Sequence, residues 1–316
     1  MRRRVCSSSC GKSRGSWRVS AWPGNWLAST ACVSPWRPAP GAPSSRADPL
    51  VAERLRLGDL EVRYRIEGRP DAPWLTLCHP LACDLSLWDA QMAALTPHFQ
   101  VLRYDLRGHG GSSAPPGPYS FPLLVDDLLG LLDALGIARS HFVGLSLGGM
   151  IGQYFALTAP ERLGRLVLAS TTSALGPEVE PLWRKRIARA REGGMATQVE
   201  SFLERWFTAP YRLDHPALMA SIAGLICATP VEGYAACAAL IPTLDITARL
   251  GAIRAPTLVL AGELDSSTPP AMAELITLSI PGARQDVIPD AAHLCNVEQS
   301  ERFNDLLLEF LEPQSH

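Results

Sequence analysis

The 316-residue sequence contains no uninterrupted apolar run approaching the roughly 18 residues that a membrane-spanning helix requires, so no membrane association is expected. Its eight cysteines include no C-x-x-C pair. Three of them (Cys6, Cys10, Cys32) precede residue 48, and an odd five (Cys78, Cys83, Cys227, Cys237, Cys295) follow it, which argues against a complete disulfide framework. Reduced thiols in a cytoplasmic protein are the simplest reading. The first 47 residues also lack any acid while carrying eight basic groups: Arg2, Arg3, Arg4, Lys12, Arg14, Arg18, Arg37 and Arg46. The formal net charge of −2 therefore averages a basic tail with a body of 21 basic and 31 acidic residues, a charge of −10 over 48–316. Such an acidic body argues against a nucleic-acid surface and points to small-molecule work.

The tail, 1–48, has no sustained period of 2 or 3.6 and is expected to be disordered. Ser, Gly, Pro and Asn interrupt every apolar stretch between Val5 and Val33, unlike a secretory signal. Its Arg- and Ser-rich composition is that of an organelle transit peptide, and a mistaken upstream start codon would give the same picture.

From Val51 onward strands alternate with helices, the pattern of a mainly parallel sheet covered on both faces. Strands are expected at 53–57, 61–66, 74–78, 100–104, 140–143, 165–169, 257–261 and 284–288. The first two should form a hairpin around Gly58-Asp59. Helical patterns occupy 121–135, 147–158, 270–279 and 298–311. The Ala- and Arg-rich stretch 178–245 breaks the alternation with three or four helical segments and no convincing strand. The expected division is a core in two parts, 49–176 and 246–312, separated by a helical cap over 177–245.

Within the core, Gly144-Leu145-Ser146-Leu147-Gly148 follows an apolar strand and precedes a helix. This is the context of a nucleophile elbow, in which small residues let Ser146 take a strained, exposed position. A serine hydroxyl needs a base, and the base needs a group to fix its tautomer. Asp265 follows the strand 257–261 and His293 follows the strand ending at Ile288, so both fall at the carboxyl edge of the sheet with Ser146. Glu263 is the competing acid, and Asp265 is preferred on motif context. The loop His79-Pro80-Leu81-Ala82 should approach Ser146. Pro80 has no N–H, so the amides of Leu81 and Leu147 are the natural oxyanion donors. His109 sits in a tight Gly-rich turn and reads as structural; His98, His141, His215 and His316 read as surface or terminal.

These motifs resemble the α/β-hydrolase superfamily from about Leu55 to Leu311, and within it the 3-oxoadipate enol-lactonases. The resemblance is carried by Tyr104-Asp-Leu-Arg-Gly-His-Gly-Gly-Ser112, Pro115-Pro-Gly-Pro-Tyr119, Leu131-Leu-Asp-Ala-Leu-Gly136 and Gly144-Leu-Ser-Leu-Gly-Gly149. Glu204-Arg-Trp-Phe-Thr208, Glu232-Gly-Tyr-Ala-Ala-Cys237 and Ala292-His-Leu-Cys-Asn-Val-Glu-Gln299 extend it. It implies an α/β-hydrolase fold with a mostly parallel eight-stranded sheet, helices on both faces and a helical cap insertion. It also implies hydrolysis of a carboxylate-bearing lactone, in the β-ketoadipate branch of aromatic catabolism, with no metal or organic cofactor. His79-Pro80 departs from the family's more usual polar or Gly-containing oxyanion approach, and the tail has no counterpart in the family. No fused carboxymuconolactone decarboxylase is expected, and oligomeric state is not indicated.

An acidic body that takes a carboxylate needs a local cation. After Pro181, residues Trp183, Arg186, Ile187 and Ala190 fall at helical spacing, which puts Arg186 on a face with apolar neighbours. Arg184, Lys185 and Arg191 should look outward. Arg186 either binds the carboxylate or snorkels from an ordinary packing face. Trp206 either lines the pocket or belongs to plain core. A carboxylesterase, a carbon–carbon hydrolase and a ligand receptor built on a hydrolase scaffold are the rival functions; receptors of that kind turn over slowly if at all.

Overall fold

The computed structural model describes residues 52–312; the expected tail, 1–48, lies outside the described residues. Eight strands form one sheet: β1 (Glu53–Leu57), β2 (Leu60–Gly68), β3 (Trp74–Cys78), β4 (Gln100–Tyr104), β5 (Ser140–Leu145), β6 (Leu163–Ala169), β7 (Thr257–Gly262) and β8 (Arg284–Ile288). Their order is β1-β2-β4-β3-β5-β6-β7-β8. Only β2 runs against the others. Gly58, at φ 58°, supplies the left-handed position that turns β1 into β2 in register Leu57 to Leu60. The central strands are buried on both faces, as in Thr257-Leu-Val-Leu-Ala-Gly262, whereas the edge strand β8 is largely exposed.

The helices are α1 (Asp89–Leu95), α2 (Phe121–Ala134), α3 (Leu147–Thr158), α4 (Glu180–Gly193), α5 (Val199–Trp206), α6 (Ala209–Asp214), α7 (Pro216–Ala228), α8 (Val231–Ala238), α9 (Pro270–Ser279), α10 (Cys295–Glu298) and α11 (Ser300–Leu311). Ser120 caps α2, its hydroxyl accepting the Leu123 amide at 3.2 Å, and Gly136 at φ 68° follows its end. Helices α4 to α8 all lie between β6 and β7 in the chain, five where three or four were expected. An extended residue, Phe207, cuts α5 from α6, whose amides are capped by Thr208. Among the described residues no single helix is long and apolar enough to cross a membrane.

The helix expected at 298–311 is α11 (Ser300–Leu311), and the short α10 precedes it, parted from it at Gln299 (φ −128°, ψ 56°). Just before this break the Glu298 carboxylate accepts the Ala292 amide at 2.8 Å. The short α1 carried no periodic signal; it is held instead by side chains, for Gln91 Nε2 donates to the Asn296 carbonyl at 2.8 Å and Asn296 Nδ2 donates to Gln91 Oε1 at 3.1 Å.

The loop after β4 is organised by a buried carboxylate. Asp105 Oδ1 accepts the Leu85 amide at 2.8 Å, its Oδ2 accepts the Gly111 amide at 2.7 Å, and Arg63 lies 3.1 Å away. Burial, reinforced by the charge of Asp84 and opposed by Arg63 and these amides, pushes the Asp105 pKa up to about 7. The following Arg107 forks onto Asp127 at 2.8 and 2.6 Å, which fixes the Gly-rich turn against α2. Replacing Asp105 by Ala strands two buried amides, so urea unfolding should show a loss of about 3 kcal/mol. A loss under about 1 kcal/mol would mean that the loop is held by other contacts.

Candidate active site

Ser146 lies between β5 and α3 with φ 55° and ψ −112°, a conformation costing on the order of 1–3 kcal/mol outside glycine. The surrounding glycines explain how the chain bears it. A Cβ on Gly144 would stand 2.2 Å from the Gly148 carbonyl oxygen, and one on Gly148 would stand 2.2 Å from the Cys78 carbonyl oxygen. Only hydrogen fits at either place. The second contact also carries the loop beyond β3, which begins at His79, alongside the elbow. The Ser146 amide donates to the Ala169 carbonyl at 2.9 Å, and Thr171 Oγ1 donates to the Ser146 carbonyl at 2.8 Å. The serine side is thus anchored to the carboxyl end of β6.

From there the contacts continue to the acid and the imidazole. The Ser170 amide donates to the Leu260 carbonyl at 2.8 Å, and Ser170 Oγ lies 3.5 Å from Cys295 Sγ, two residues past His293. A Cβ on Gly262 would meet the Ala292 carbonyl oxygen at 2.1 Å, so the end of β7 crosses the histidine loop in contact. At that crossing His293 Nδ1 lies 2.8 Å from Asp265 Oδ2, and both side chains are buried. Nδ1–H donates to the carboxylate, which leaves Nε2 as the basic nitrogen. Glu263, the competing acid, is exposed and accepts the Asp290 amide instead. Burial works to raise the Asp265 pKa, but the His293 charge and hydrogen bond, with the Thr268 donors, outweigh it and leave the net shift downward.

Thr268 was missed at the sequence level. Its amide donates to Asp265 Oδ1 at 3.0 Å and its hydroxyl donates to Oδ2 at 2.7 Å, 3.3 Å from His293 Nδ1. The signal was present in Asp265-Ser-Ser-Thr268, a run in which an acid can accept amides two and three residues on. Glu298 was missed as well. Its Oε1 accepts the Thr208 amide (3.0 Å) and hydroxyl (2.5 Å) while Oε2 accepts the Ala292 amide (2.8 Å).

Leu147 is the first residue of α3, where an amide has no intrahelical acceptor. Leu81 is buried in the turn after His79, beside Ala82 at φ 59°. His79 holds this loop: Nε2 accepts the Leu106 amide at 3.0 Å and Nδ1 donates to the Pro80 carbonyl at 2.7 Å. Complete burial pulls its pKa down to about 4. His109, 5.5 Å away between ring centroids, is likewise buried, and its pKa falls to about 3 through burial and the His79 charge. Both rings stay neutral near pH 7. His141 departs from the surface reading: it is half-buried and accepts the Arg165 amide at 2.9 Å.

In the cap, the Arg186 guanidinium lies 4.8 Å over the Trp183 ring, and both are half-buried. Arg184 and Arg191 point outward onto Glu180 and Glu232. Trp206 is buried against Phe202, and its carbonyl accepts the Leu294 amide at 3.0 Å. A groove of about 950 Å³ between the Pro-rich loop at 114–122 and helices α4 and α8 is lined by none of Ser146, Asp265 and His293. Cys78, Cys83, Cys237 and Cys295 are buried free thiols, whereas Cys227 is exposed.

Residues 73–299 match the family model described as alpha/beta hydrolase fold, and the chain belongs to that family. Among its relatives is 3-oxoadipate enol-lactonase 2 of Acinetobacter baylyi, 33% identical over 80% of this chain and 93% of that protein. The crystal structure of the enol-lactonase from Burkholderia xenovorans LB400 is 40% identical, with a TM-score of 0.78 over 82% of this chain and 99% of that one. A hydrolase from Pseudomonas aeruginosa PA01 is 42% identical, with a TM-score of 0.80 over 84% of this chain and all of that one.

The downward shift of Asp265 fixes a sign. Its contribution to stability is present above the unfolded-state pKa of about 4 and is lost as pH falls through the lower folded-state value. Asp265→Asn should therefore cost about 2 kcal/mol near pH 7, with the gap from wild type closing in acid. Denaturant unfolding at a series of pH values checks this, and a gap independent of pH would remove the ionised pair.

Proposed function

We propose that the protein is a serine hydrolase that opens a lactone ring, with 3-oxoadipate enol-lactone as the substrate. The observation that carries this reading is the buried 2.8 Å contact between His293 Nδ1 and Asp265 at the sheet edge that also bears the strained Ser146. The names of the relatives in Acinetobacter and Burkholderia support the choice of lactone.

In this mechanism Ser146 Oγ attacks the lactone carbonyl while His293 Nε2 takes its proton. The Leu81 and Leu147 amides donate to the tetrahedral oxyanion. Asp265 holds the imidazole in the required tautomer and stabilises the imidazolium, and the Thr268 hydroxyl holds Asp265. Collapse breaks the ring C–O bond and expels an enolate, which recovers a proton from His293 and tautomerises to the ketone. Water activated by the same imidazole then cleaves the acyl–serine bond. Asp265, ionised and already hydrogen-bonded, needs no reorganisation as the charge develops.

Ser146→Ala should lower kcat by roughly 10³-fold or more while the unfolding transition stays cooperative. Near-wild-type turnover by that variant would refute the assignment. Steady-state comparison of 3-oxoadipate enol-lactone with simple aryl esters tests the substrate. A higher kcat/KM for the aryl esters would replace the lactonase by a carboxylesterase using the same residues.

A further inference from the structure

Two guanidinium groups of the cap lie over aromatic rings with no acidic partner among the described residues. Among the described residues neither Arg186, on α4, nor Arg205, on α5, forms an ion pair; each is half-buried over an aromatic ring, Trp183 at 4.8 Å and Phe202 at 5.3 Å. The neighbouring Glu204 is exposed. Phe202 in turn meets Tyr234, on α8, edge-on at 6.2 Å and 87°. Helices α5 and α8 thus bring a cation and a phenol to one aromatic cluster, and α4, packed against α8, carries Arg186 within electrostatic range of both.

Tyr234 is the second, independent observation. It is completely buried, and its hydroxyl has no hydrogen-bond partner among the described residues. A buried phenol O–H normally finds an acceptor, and leaving one unmade costs about 1–3 kcal/mol. An arginine that merely snorkels from a packing face would give this hydroxyl nothing. The charges also lie close enough to interact. Burial and then the Arg186 charge push the Arg205 pKa down to about 10, while burial pushes Tyr234 up to about 12 against the pull of both arginines. An anion accepting from all three groups would relieve the repulsion and satisfy the phenol together.

The cluster adjoins the site. Phe202 packs against Trp206 with ring centroids 4.5 Å apart and planes tilted by 34°, and the Trp206 carbonyl accepts the amide of Leu294, the residue after His293. We infer that Arg186, Arg205 and Tyr234 form a carboxylate-binding site in the cap, which receives the free carboxylate of a small acidic substrate. The inference rests on the hydrolase reading for the substrate's presence, but not on the lactone's identity.

Two measurements on the full chain test it. In calorimetric titration with glutarate, Arg205→Met should weaken binding about ten-fold or more, and Tyr234→Phe, which keeps the ring, a few-fold. In steady-state kinetics, wild type should prefer p-nitrophenyl hemiglutarate to neutral p-nitrophenyl butyrate, with glutarate a competitive inhibitor. Both variants should reduce that preference mainly through KM. No glutarate binding to wild type, non-competitive inhibition, or equal losses on the two esters would each overturn the site. Tyr234→Phe keeps the test decisive should Arg205→Met fail to fold. Absence of enol-lactone turnover with the hemiglutarate preference intact would remove the lactone and leave the carboxylate site standing.

Discussion

Everything at the candidate site depends on how closely α3 can approach the sheet. Gly148 against the Cys78 carbonyl oxygen and Gly144 against the Gly148 carbonyl oxygen are contacts that no side chain allows. They let the helix begin almost on top of the strand ends, and the chain must then pass through the unfavourable Ser146 conformation to get from one to the other. The strain is held by a buried sheet whose central strands, β5 and β7 among them, are apolar on both faces.

Around that point, polar groups are fixed by donors rather than left to water. Asp265 accepts two backbone amides, a hydroxyl and an imidazole. Asp105 and Arg107 perform the same service for the Gly-rich turn, and neutral His79 ties the loop after β3 to the amide of Leu106. In the cap, the buried Tyr234 hydroxyl has no partner among the described residues, and Arg186 and Arg205 lie over aromatic rings rather than on carboxylates.

The parallel strands were readable because apolar runs bounded by turn residues leave little choice of element, and β3, β4 and β8 match the expected limits residue for residue. The elbow was readable because its glycines answer a backbone demand that no other residue meets. The preference for Asp265 over Glu263 rested on motif context, because the outcome depends on how the Gly262 crossing turns the loop back over the sheet. What stayed hidden was long-range side-chain pairing. The Gln91–Asn296 amide pair spans most of the core and leaves no periodic trace, and without it the short α1 looks like loop. Likewise Glu298 reads as the first residue of the last helix, whereas it closes α10 and its carboxylate is taken by Thr208 and the Ala292 amide, partners distant in sequence or invisible to periodicity.

Glu298 has a larger meaning than a helix break. One oxygen of its carboxylate holds Thr208 at the head of α6, and the other holds the amide immediately before His293. The head of α6 and the backbone that carries the imidazole therefore share one carboxylate, next to the Trp206 carbonyl that accepts the Leu294 amide. Any displacement of the head of α6 is therefore transmitted, through Glu298, to the backbone that carries the His293 imidazole.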